Sequence, residues 1–474
     1  MVSSRYILKV IIPILLGLVI ALIPVPKGLD PRAWLYFALF VAVIAGVALE
    51  PIPAAAVGLI GVVIAMISGL VYTSPTDAIK WGLSGFADTT VWLIFAAFLL
   101  SLGYAKTGLG RRIALLLIKY IGKRSLGLGY AIAFADLGLA PFMPSNTARS
   151  GGTIYPIISN IPPLYGSSPE TNTERRIGSY IMWVAFATTC ITSSMFLTGL
   201  APNVLVSTLA SKTANVSLDW TTWFIGFSLV GFLLFMLTPI LVYKIYPPEI
   251  KISEEASTWA SKELIKLGSV SIKEISFLLM VILALALWIF GGNYLNATTV
   301  ALLIIALMLI TKIVSWEDIL SHKSAWNTFV WFATLVTLAD GLAKVGFISY
   351  VAKIISSTIG WLGTYIAIVM IISIFYWIHY LFASLTAHAT ALYPIFLTSM
   401  INLGVPPITA AYLLAYTLGI MGVLTPYATG PAPIYYGSGY VKGKDFWRLG
   451  FVFGILFYVI YIFIGVPWIL SIIK

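Results

Sequence analysis

Residues 145–149 read Ser-Asn-Thr-Ala-Arg, and about 240 residues later, at positions 384–388, the chain reads Ser-Leu-Thr-Ala-His. Each phrase is followed a few residues on by Tyr-Pro-Ile, at 155–157 and at 393–395. Both are polar, cation-bearing stretches inside sequence apolar enough to lie within a bilayer. Because polar and ionisable groups at membrane depth are costly, a matched pair of them indicates a substrate site. A site that occurs twice indicates a transporter built from two related halves.

The composition of the chain is that of a membrane protein. Of its 474 residues, 60% are hydrophobic and only 9% are charged, whereas about 25% charged residues are typical of soluble domains. Apolar runs recur from one end to the other, and several reach the ~20 residues that a membrane-spanning helix needs. The alternating strands of a membrane β-barrel are not found in the sequence. The chain is therefore predicted to be an all-α polytopic membrane protein.

The N-terminal apolar run, residues 11–23, follows Arg5 and Lys9, as the apolar part of a signal peptide would. It is long, and no small-residue cleavage site comes after it, so we interpret it as a retained first span. Cys190 is the only cysteine, which excludes an intrachain disulfide and a cysteine-based metal cluster. We expect no cofactor and no resident metal.

The net charge of +11 is explained by membrane topology rather than by nucleic-acid binding. With the N-terminus placed in the cytoplasm, twenty of the 28 Lys and Arg residues fall in cytoplasmic segments and seven, Lys474 among them, in outer ones. Only Arg149 is left over, inside the polar motif. This asymmetry follows the positive-inside rule. It predicts a multi-pass protein of the inner (cytoplasmic) membrane that contacts lipid and not nucleic acid.

A longer repeat surrounds the two motifs. Residues 90–108 match residues 329–346 at nearly the offset that separates the motifs, so one unit of sequence has been duplicated. By the charge count the first copy ends inside and the second ends outside, which indicates inverted repeats. The predicted organisation is a first repeat with preceding scaffold helices at 1–245, a polar cytoplasmic linker at 246–274 and a second repeat at 275–474.

Each motif is predicted to form the tip of a re-entrant helical hairpin, one at 125–160 and one at 361–403. The run 126–139 has about fourteen residues, which at ~1.5 Å per residue cross roughly two-thirds of a ~30 Å hydrocarbon core. Pro141 and Pro144 then stop the helix, and the serine and threonine of the motif can cap a new one. The second hairpin is expected to enter from the opposite side.

Each hairpin is followed by a stretch too long for one span and broken near its middle, at residues 198–203 and 425–431. Irregular backbone at membrane depth is tolerated where protein buries it or where it lines a wet cavity. Two tips and two breaks are therefore expected to meet near the midplane. Half-helix N-termini there offer N–H groups and partial positive charge, which suit an anion with a carboxylate at each end. The candidate substrate-binding residues are Ser145, Asn146, Thr147, Arg149, Pro202, Asn203, Ser384, Thr386, His388, Thr425, Pro426 and Thr429.

Three ionisable residues of this region have more than one interpretation. Arg149 could bind the substrate, extend to the interface or pair with a structural acid, and His388 could be a neutral core histidine. Asp136 could bind a proton or a cation, but we favour a structural pairing because its counterpart in the second hairpin is Phe375. A hydrolytic triad of Ser145, His388 and Asp136 is the alternative from another class. Catalysis needs no second tip, so the repeat argues against this triad and no enzyme activity is expected.

Several segments besides the tips carry a family resemblance. They are Trp-Gly-Leu-Ser-Gly-Phe at 81–86, Gly-Arg-Arg-Ile-Ala at 110–114, Arg-Arg-Ile-Gly at 175–178, Leu-Phe-Ala-Ser-Leu-Thr-Ala-His at 381–388, Leu-Thr-Pro-Tyr-Ala-Thr-Gly-Pro at 424–431 and Tyr-Gly-Ser-Gly-Tyr-Val at 436–441. Over nearly its whole length the chain resembles the divalent anion:sodium symporter family, which carries di- and tricarboxylates, and most of all its citrate/succinate antiporter branch. The resemblance implies a homodimer with eleven spans and two re-entrant hairpins per protomer. It also implies a substrate domain that moves as an elevator against a fixed scaffold.

The chain departs from the sodium-coupled members of that family at Leu385. The family pattern has Ser-Asn-Thr in both hairpins, and a leucine side chain cannot bind a carboxylate or a sodium ion. In a sodium-coupled protein, Ser145, Asn146 and Gly199 would hold the ion. We instead expect sodium-independent exchange of di- or tricarboxylates, with a sodium-coupled dicarboxylate symporter as the alternative.

Charge also predicts obligate exchange. An empty carrier would move Arg149, and a protonated His388, across the bilayer with no balancing anion, and one such charge costs roughly 2.5–3.5 kcal/mol. A bound dianion would offset the charge. Charge makes exchange obligatory only if Asp136 does not already neutralise Arg149.

Overall fold

The computed structural model of the chain describes residues 4–292 and 294–473. Within those residues the secondary structure consists of α-helices, short 3-10 turns and two π-helical turns, with no strand. Arg124 and Ile252 form an isolated antiparallel bridge. The predicted all-α fold is confirmed. Lys474, one of the outer charges in the topology argument, lies outside the described residues.

The α-helices fall before and after the polar linker. Those before it are α1 (Ser4–Leu22), α2 (Pro31–Leu49), α3 (Ala54–Ser68), α4 (Pro75–Gly82), α5 (Thr89–Thr107), α6 (Leu109–Ile121), α7 (Ser125–Leu139), α8 (Tyr155–Ile158), α9 (Gly178–Met195), α10 (Ala201–Ala214) and α11 (Trp220–Ile245). The linker contains α12 (Glu254–Leu267), and after it come α13 (Ile272–Phe290), α14 (Ala297–Ile310), α15 (Trp316–Ser321), α16 (Lys323–Lys344), α17 (Phe347–Ile359), α18 (Thr364–Trp377), α19 (Leu385–Asn402), α20 (Pro407–Ala415), α21 (Thr417–Ile420), α22 (Ala432–Gly437), α23 (Gly443–Ile460) and α24 (Val466–Ile472).

Many of these helices are suited to a bilayer. By length and composition seven could cross a membrane, or up to eight if the bent pair α16–α17 counts as one span. Shorter apolar helices, among them α3 and α14, add to these. Helix α9 is buried along its whole length, whereas α1 and α13 expose isoleucine and leucine side chains. The chain is therefore a polytopic membrane protein built around α9, and the count of eleven spans stays a prediction.

The two halves contain matching elements around the sequence repeat. In each half a glycine in the left-handed region, Gly108 (φ 77°) or Gly346 (φ 82°), joins a long helix to a shorter one. Glycine is the residue that adopts such a φ without strain. The shorter helices, α6 and α17, are both 13 residues long, and α17 is bent by 65° from α16. The inverted orientation of the halves stays a prediction.

The first hairpin begins and ends at the linker. At its start, the N–H of Ser125 donates to the carbonyl of Lys251 (3.0 Å). Beyond its second arm, Tyr165 Oη accepts a hydrogen bond from the N–H of Ala256 (2.9 Å). Since both ends contact the same short segment, the tip lies at the far end of α7, about 22 Å away at ~1.5 Å per residue. Residues 125–160 thus form a hairpin, and its re-entry into a membrane stays a prediction.

After the first tip the chain forms a π-helical turn, Thr147–Ile154, where capping residues predicted the start of an α-helix. The wide turn continues into α8, because the N–H of Tyr155 donates to the carbonyl of Ser150. Pro156 favours this geometry, since it has no N–H to donate to the carbonyl of Gly152. Such π-helical turns are frequent at functional sites.

Each hairpin packs against the broken helix of the other half. In the first hairpin, Ser150 Oγ lies 2.8 Å from Tyr435 Oη of α22, and Gly151 packs directly against the Cδ1 of Ile434, which a Cβ would displace. In the second hairpin, α19 packs along α10, the helix that follows the first break. These contacts between the two halves bring the tips and the breaks together.

Candidate functional site

Arg149 lies just after the first tip and is completely buried, with 0% of its surface exposed. Its Nη1 donates to the carbonyl oxygens of Met143 (2.8 Å) and Gly199 (2.7 Å). These carbonyls belong to the first tip and to the first helix break. The guanidinium therefore joins the two elements that were predicted to meet. Its Nη2 donates, at 3.0–3.3 Å, to the hydroxyl groups of Thr189, Thr192 and Ser193 in α9.

Asp136 in α7 neutralises Arg149. Its two carboxylate oxygens lie 3.2 and 3.3 Å from the Nε of Arg149. The carboxylate also accepts hydrogen bonds from Thr189 (3.2 Å) and Thr192. Burial of an isolated charge is costly, whereas a paired and hydrogen-bonded charge is tolerated. The structural pairing favoured for Asp136 is therefore what the structure contains.

This ion pair changes two expectations about Arg149. All three guanidinium nitrogens are bonded to protein atoms, so the geometry fits a structural role and not the substrate-binding role predicted. The charge of Arg149 also does not make exchange obligatory, contrary to the expectation from the sequence, because Asp136 neutralises it. An empty carrier moves a neutral Arg149–Asp136 pair and not a lone cation.

At the first tip, Ser145 caps the helical segment that follows: its Oγ accepts a hydrogen bond from the backbone N–H three residues on (3.1 Å). Asn146 is buried, and its Nδ2 donates to Thr429 Oγ1 in the second break (2.7 Å). Thr147 is exposed and stands directly against Gly430, which leaves no space there for a Cβ. The structure thus brings the first tip and the second break together, as predicted.

At the second tip, Ser384 caps α19 in the same way, with its Oγ accepting from the backbone N–H three residues on (3.4 Å). Leu385, at the position of the family asparagine, is buried in the hydrophobic core. Thr386 is half-buried, and its Oγ1 makes no hydrogen bond within residues 4–292 and 294–473. The polar side chains available at this tip are therefore Ser384 and Thr386.

His388 is buried beside a second histidine. Its Nδ1 lies 3.3 Å from the Nδ1 of His379, whose Nε2 lies 2.9 Å from the carbonyl oxygen of Ala428 in the second break. Because a carbonyl can only accept, the Nε2 of His379 carries the hydrogen and its Nδ1 accepts from His388. Two neutral imidazoles satisfy this chain, which agrees with the interpretation of His388 as a neutral core histidine.

His379, which no sequence pattern singled out, contacts the second break as Arg149 contacts the first, although by the offset of the repeat the position that matches Arg149 is His388. Arg149 donates to the carbonyl of Gly199 in the first break, and His379 donates to the carbonyl of Ala428 in the second. The available signal was the spacing of the histidines: the chain has three, and two of them lie nine residues apart in the second hairpin.

The residues of the first break that were predicted to bind substrate make contacts within the protein. The Nδ2 of Asn203 donates to two carbonyl oxygens at the C-terminal end of α9 (2.7 and 3.0 Å). Pro202 is buried in the first turn of α10. The N–H of Ala201 donates to the carbonyl of Pro144 (2.7 Å), which attaches the break to the first tip. These contacts hold the break in place, and ligand roles for Pro202 and Asn203 stay predictions.

The second break lies between the two hairpins. Thr429 accepts from the first tip, as described above, and Tyr427 Oη donates to the carbonyl of Tyr380 in the second hairpin (3.0 Å). Thr425 is buried, and Pro426 is half-buried. Their roles as substrate ligands stay predictions.

The structure does not assemble the hydrolytic alternative. Asp136 is bonded to Arg149 and to two threonines of α9. His388 faces His379 instead of a serine, and Ser145 Oγ accepts from the backbone. Each member of the supposed triad therefore has a different partner.

Similarities to known proteins span the whole length of the chain. The sodium:sulfate symporter transmembrane region family matches residues 4–473. The citrate/succinate antiporter of Escherichia coli (strain K12) is 47% identical over 472 residues, 97% of each chain. The L-tartrate/succinate antiporter of Escherichia coli O6:K15:H31 (strain 536 / UPEC) is 45% identical over 469 residues, 96% of each chain.

A solved structure has the same fold. The YdaH transporter of Alcanivorax borkumensis gives a TM-score of 0.59 at 13% sequence identity, and the match covers 93% of this chain and 99% of that one. At this identity the similarity concerns the fold alone. The family resemblance seen in the motifs is confirmed by the sequence matches, which place the protein among membrane transporters and not among enzymes. The chain belongs to the sodium:sulfate symporter transmembrane region family.

Proposed function

We propose that this protein exchanges di- or tricarboxylates across the inner membrane without sodium, for example citrate or a dicarboxylate against succinate. The observation that carries the proposal is the position of the Arg149 guanidinium on the carbonyl oxygens of Met143 and Gly199. In secondary transporters, carbonyls of interrupted helices are typical ligands for a coupling sodium ion. Here a covalently attached cation uses these carbonyls, so no mobile cation need bind and leave with the substrate.

The second half supports the same conclusion. The carbonyl of Ala428 receives the His379 imidazole, and Leu385 directs a hydrocarbon side chain into the core where the family has an asparagine. The imidazole occupies the carbonyl oxygen of Ala428, and the leucine takes the place of an amide oxygen. The second tip therefore has fewer oxygen ligands near it. Since sodium needs several oxygen ligands, we expect neither half to bind it.

The substrate is proposed to lie between the two tips. Ser145 and Ser384 cap the first turns of the two second arms, and Thr147 and Thr386 place hydroxyl groups beside them. The positive ends of the helical segments attract carboxylates, and hydroxyl and N–H donors fix their orientation. Each of these two ends would receive one carboxylate of a dicarboxylate.

Exchange follows from the absence of a co-transported cation. Moving a dianion into a cell alone transfers two negative charges against the membrane potential, which costs about 4.6 kcal/mol at 100 mV, since one charge costs about 2.3 kcal/mol. One dianion entering as another leaves transfers no net charge. The antiporter names of the relatives that are 47% and 45% identical fit this coupling.

The movement is proposed to be an elevator within a homodimer whose N-terminus is cytoplasmic. The amphipathic helices α6 and α17 connect the repeat helices α5 and α16 to the hairpins. Such connections can guide the hairpins and breaks as one body against the remaining helices. The positive-inside asymmetry of the sequence supports the orientation.

The test is uptake of labelled succinate by proteoliposomes with and without unlabelled succinate inside. We expect loaded vesicles to take up label at least tenfold faster than empty ones. A potential imposed with potassium and valinomycin should leave the exchange rate unchanged, because the cycle moves no net charge. Equal uptake by loaded and empty vesicles would contradict the exchange mechanism.

A further inference from the structure

A cavity of about 630 Å³ connects the linker to the first tip. Its inner end is lined by Met143 and Ala148, the residues on either side of the 145–147 tip. Its outer end is lined by Arg111 of α6 and by Trp259 and Leu267 of the linker helix. The cavity therefore lies on the linker side of the protein, which the charge count assigns to the cytoplasm.

The outer end of this cavity carries an excess of positive charge. Arg111 Nη2 is 2.8 Å from Glu263, and Lys266 Nζ is 2.7 Å from the same carboxylate. Two cations thus share one anion, and the group of three has a net charge of +1. Hydrogen bonds from Lys266 and Arg111 lower the pKa of Glu263, so its carboxylate is ionised at neutral pH.

Arg111 differs from its neighbour Arg112 in its exposure and in the net charge of its ion pair. The Arg112 side chain is nearly buried and lies 2.6 Å from Glu274, and it also donates to the carbonyls of Gly268 and Ser269. This neighbouring pair is neutral and structural. The Arg111 side chain is 52% exposed, so its guanidinium can contact an anion in the cavity while it faces Glu263.

We propose that Arg111 captures the substrate at the cytoplasmic entrance and sets the affinity for carboxylates on that side of the membrane. This inference rests on the proposed function. A positively charged cleft concentrates anions by about tenfold or more, and the effect falls within a Debye length of ~8 Å at physiological salt. A dianion that enters the cavity reaches the Ser145–Thr147 tip after passing Arg111.

The test compares the two faces of the membrane in the full-length protein. Succinate/succinate exchange is measured in inside-out vesicles, which present the cytoplasmic face, and in right-side-out vesicles. In inside-out vesicles Arg111→Gln should raise the KM for succinate about threefold to tenfold with little change in kcat, and high salt should diminish the difference. In right-side-out vesicles its KM should equal that of the wild type. Arg111→Lys keeps the charge and should stay near the wild type.

Two further variants separate anion capture from a structural role of the ion pair. Glu263→Gln breaks the same pair but raises the local charge to +2, so its cytoplasmic KM should fall. Lys123→Gln, an equal charge change just beyond the end of α6, should leave the KM unaltered. An unchanged KM in Arg111→Gln, or a rise in both Arg111→Gln and Glu263→Gln, would overturn the proposal. If the wild-type protein exchanges no dicarboxylate in either vesicle type, the proposed function itself is wrong.

Discussion

At the scale of single residues, the Arg149–Asp136 pair organises the first half of the site. It joins α7, the tip, α9 and the first break through one buried guanidinium. Removal of one partner from a buried ion pair leaves an uncompensated charge, which typically costs about 3–5 kcal/mol. The pair is therefore expected to matter for stability before it matters for transport.

We expect Asp136→Asn to lower the thermal unfolding midpoint of the detergent-purified protein by several degrees, because Arg149 then stays charged without a counter-ion. Glu170→Gln changes an exposed loop acid and serves as the control with an unchanged midpoint. The double variant Asp136→Asn/Arg149→Gln removes both charges and should lose less than the two single variants together. A midpoint for Asp136→Asn equal to that of the wild type would show that the pair does not hold the site.

Thr386 provides the cleanest test of the substrate tips. Its hydroxyl is free of hydrogen bonds in the part of the chain that the structure describes, so its loss disturbs the least structure. A hydrogen bond to a charged group contributes about 1.5–3 kcal/mol, so Thr386→Ala should raise the KM for succinate by about tenfold or more. Thr398→Ala, whose hydroxyl bonds the carbonyl of Pro394 elsewhere in α19, should not change the KM. Equal KM values for both variants would remove the second tip from the site.

At the scale of elements, the site depends on the second break fitting between the hairpins. Gly430 lies against Thr147 with no space for a Cβ. We expect Gly430→Ala to push the break away from the first tip and raise the KM at least tenfold, a loss equivalent to one charge-assisted hydrogen bond of about 1.5 kcal/mol.

The control for this variant is Gly437→Ala, in α22. A Cβ there meets open space among the described residues, and the φ of Gly437 is not positive. Succinate exchange by this variant should match that of the wild type. If Gly430→Ala also exchanged succinate with wild-type kinetics, the close packing of tip and break would have no role in binding.

The sequence predicted the elements of the site better than their partners. Polar tip residues marked both hairpins, prolines also marked the end of the first arm of the first hairpin, and broken apolar stretches marked both breaks, because these features are local in the chain. The contact of His379 with Ala428 depends on tertiary packing within the second half, and the packing of α19 along α10 depends on contacts between the halves. The π-helical turn at Thr147–Ile154 also differed from the local expectation, since capping residues alone predict an α-helix.

At the scale of the whole molecule, the two halves repeat one arrangement at their hairpin tips and helix breaks. Each half has a hairpin tip that faces a helix break, and in each half a protein donor occupies a carbonyl of the break. The linker helix α12 packs on α6 and also contacts the outer end of the first hairpin. We therefore propose that anion entry, binding and exchange take place in different parts of one inward path, with a fixed guanidinium and a fixed imidazole donor where mobile cations would otherwise bind.

The central claim is that these fixed groups replace sodium. The most direct measurement is the initial rate of labelled succinate uptake into succinate-loaded proteoliposomes, first in sodium chloride and then in choline chloride at equal ionic strength. The account predicts the same rate in both salts, because Arg149 and His379 already occupy the carbonyls that a sodium ion would need. A fall to background in choline chloride would contradict it and identify the protein as a sodium-coupled symporter.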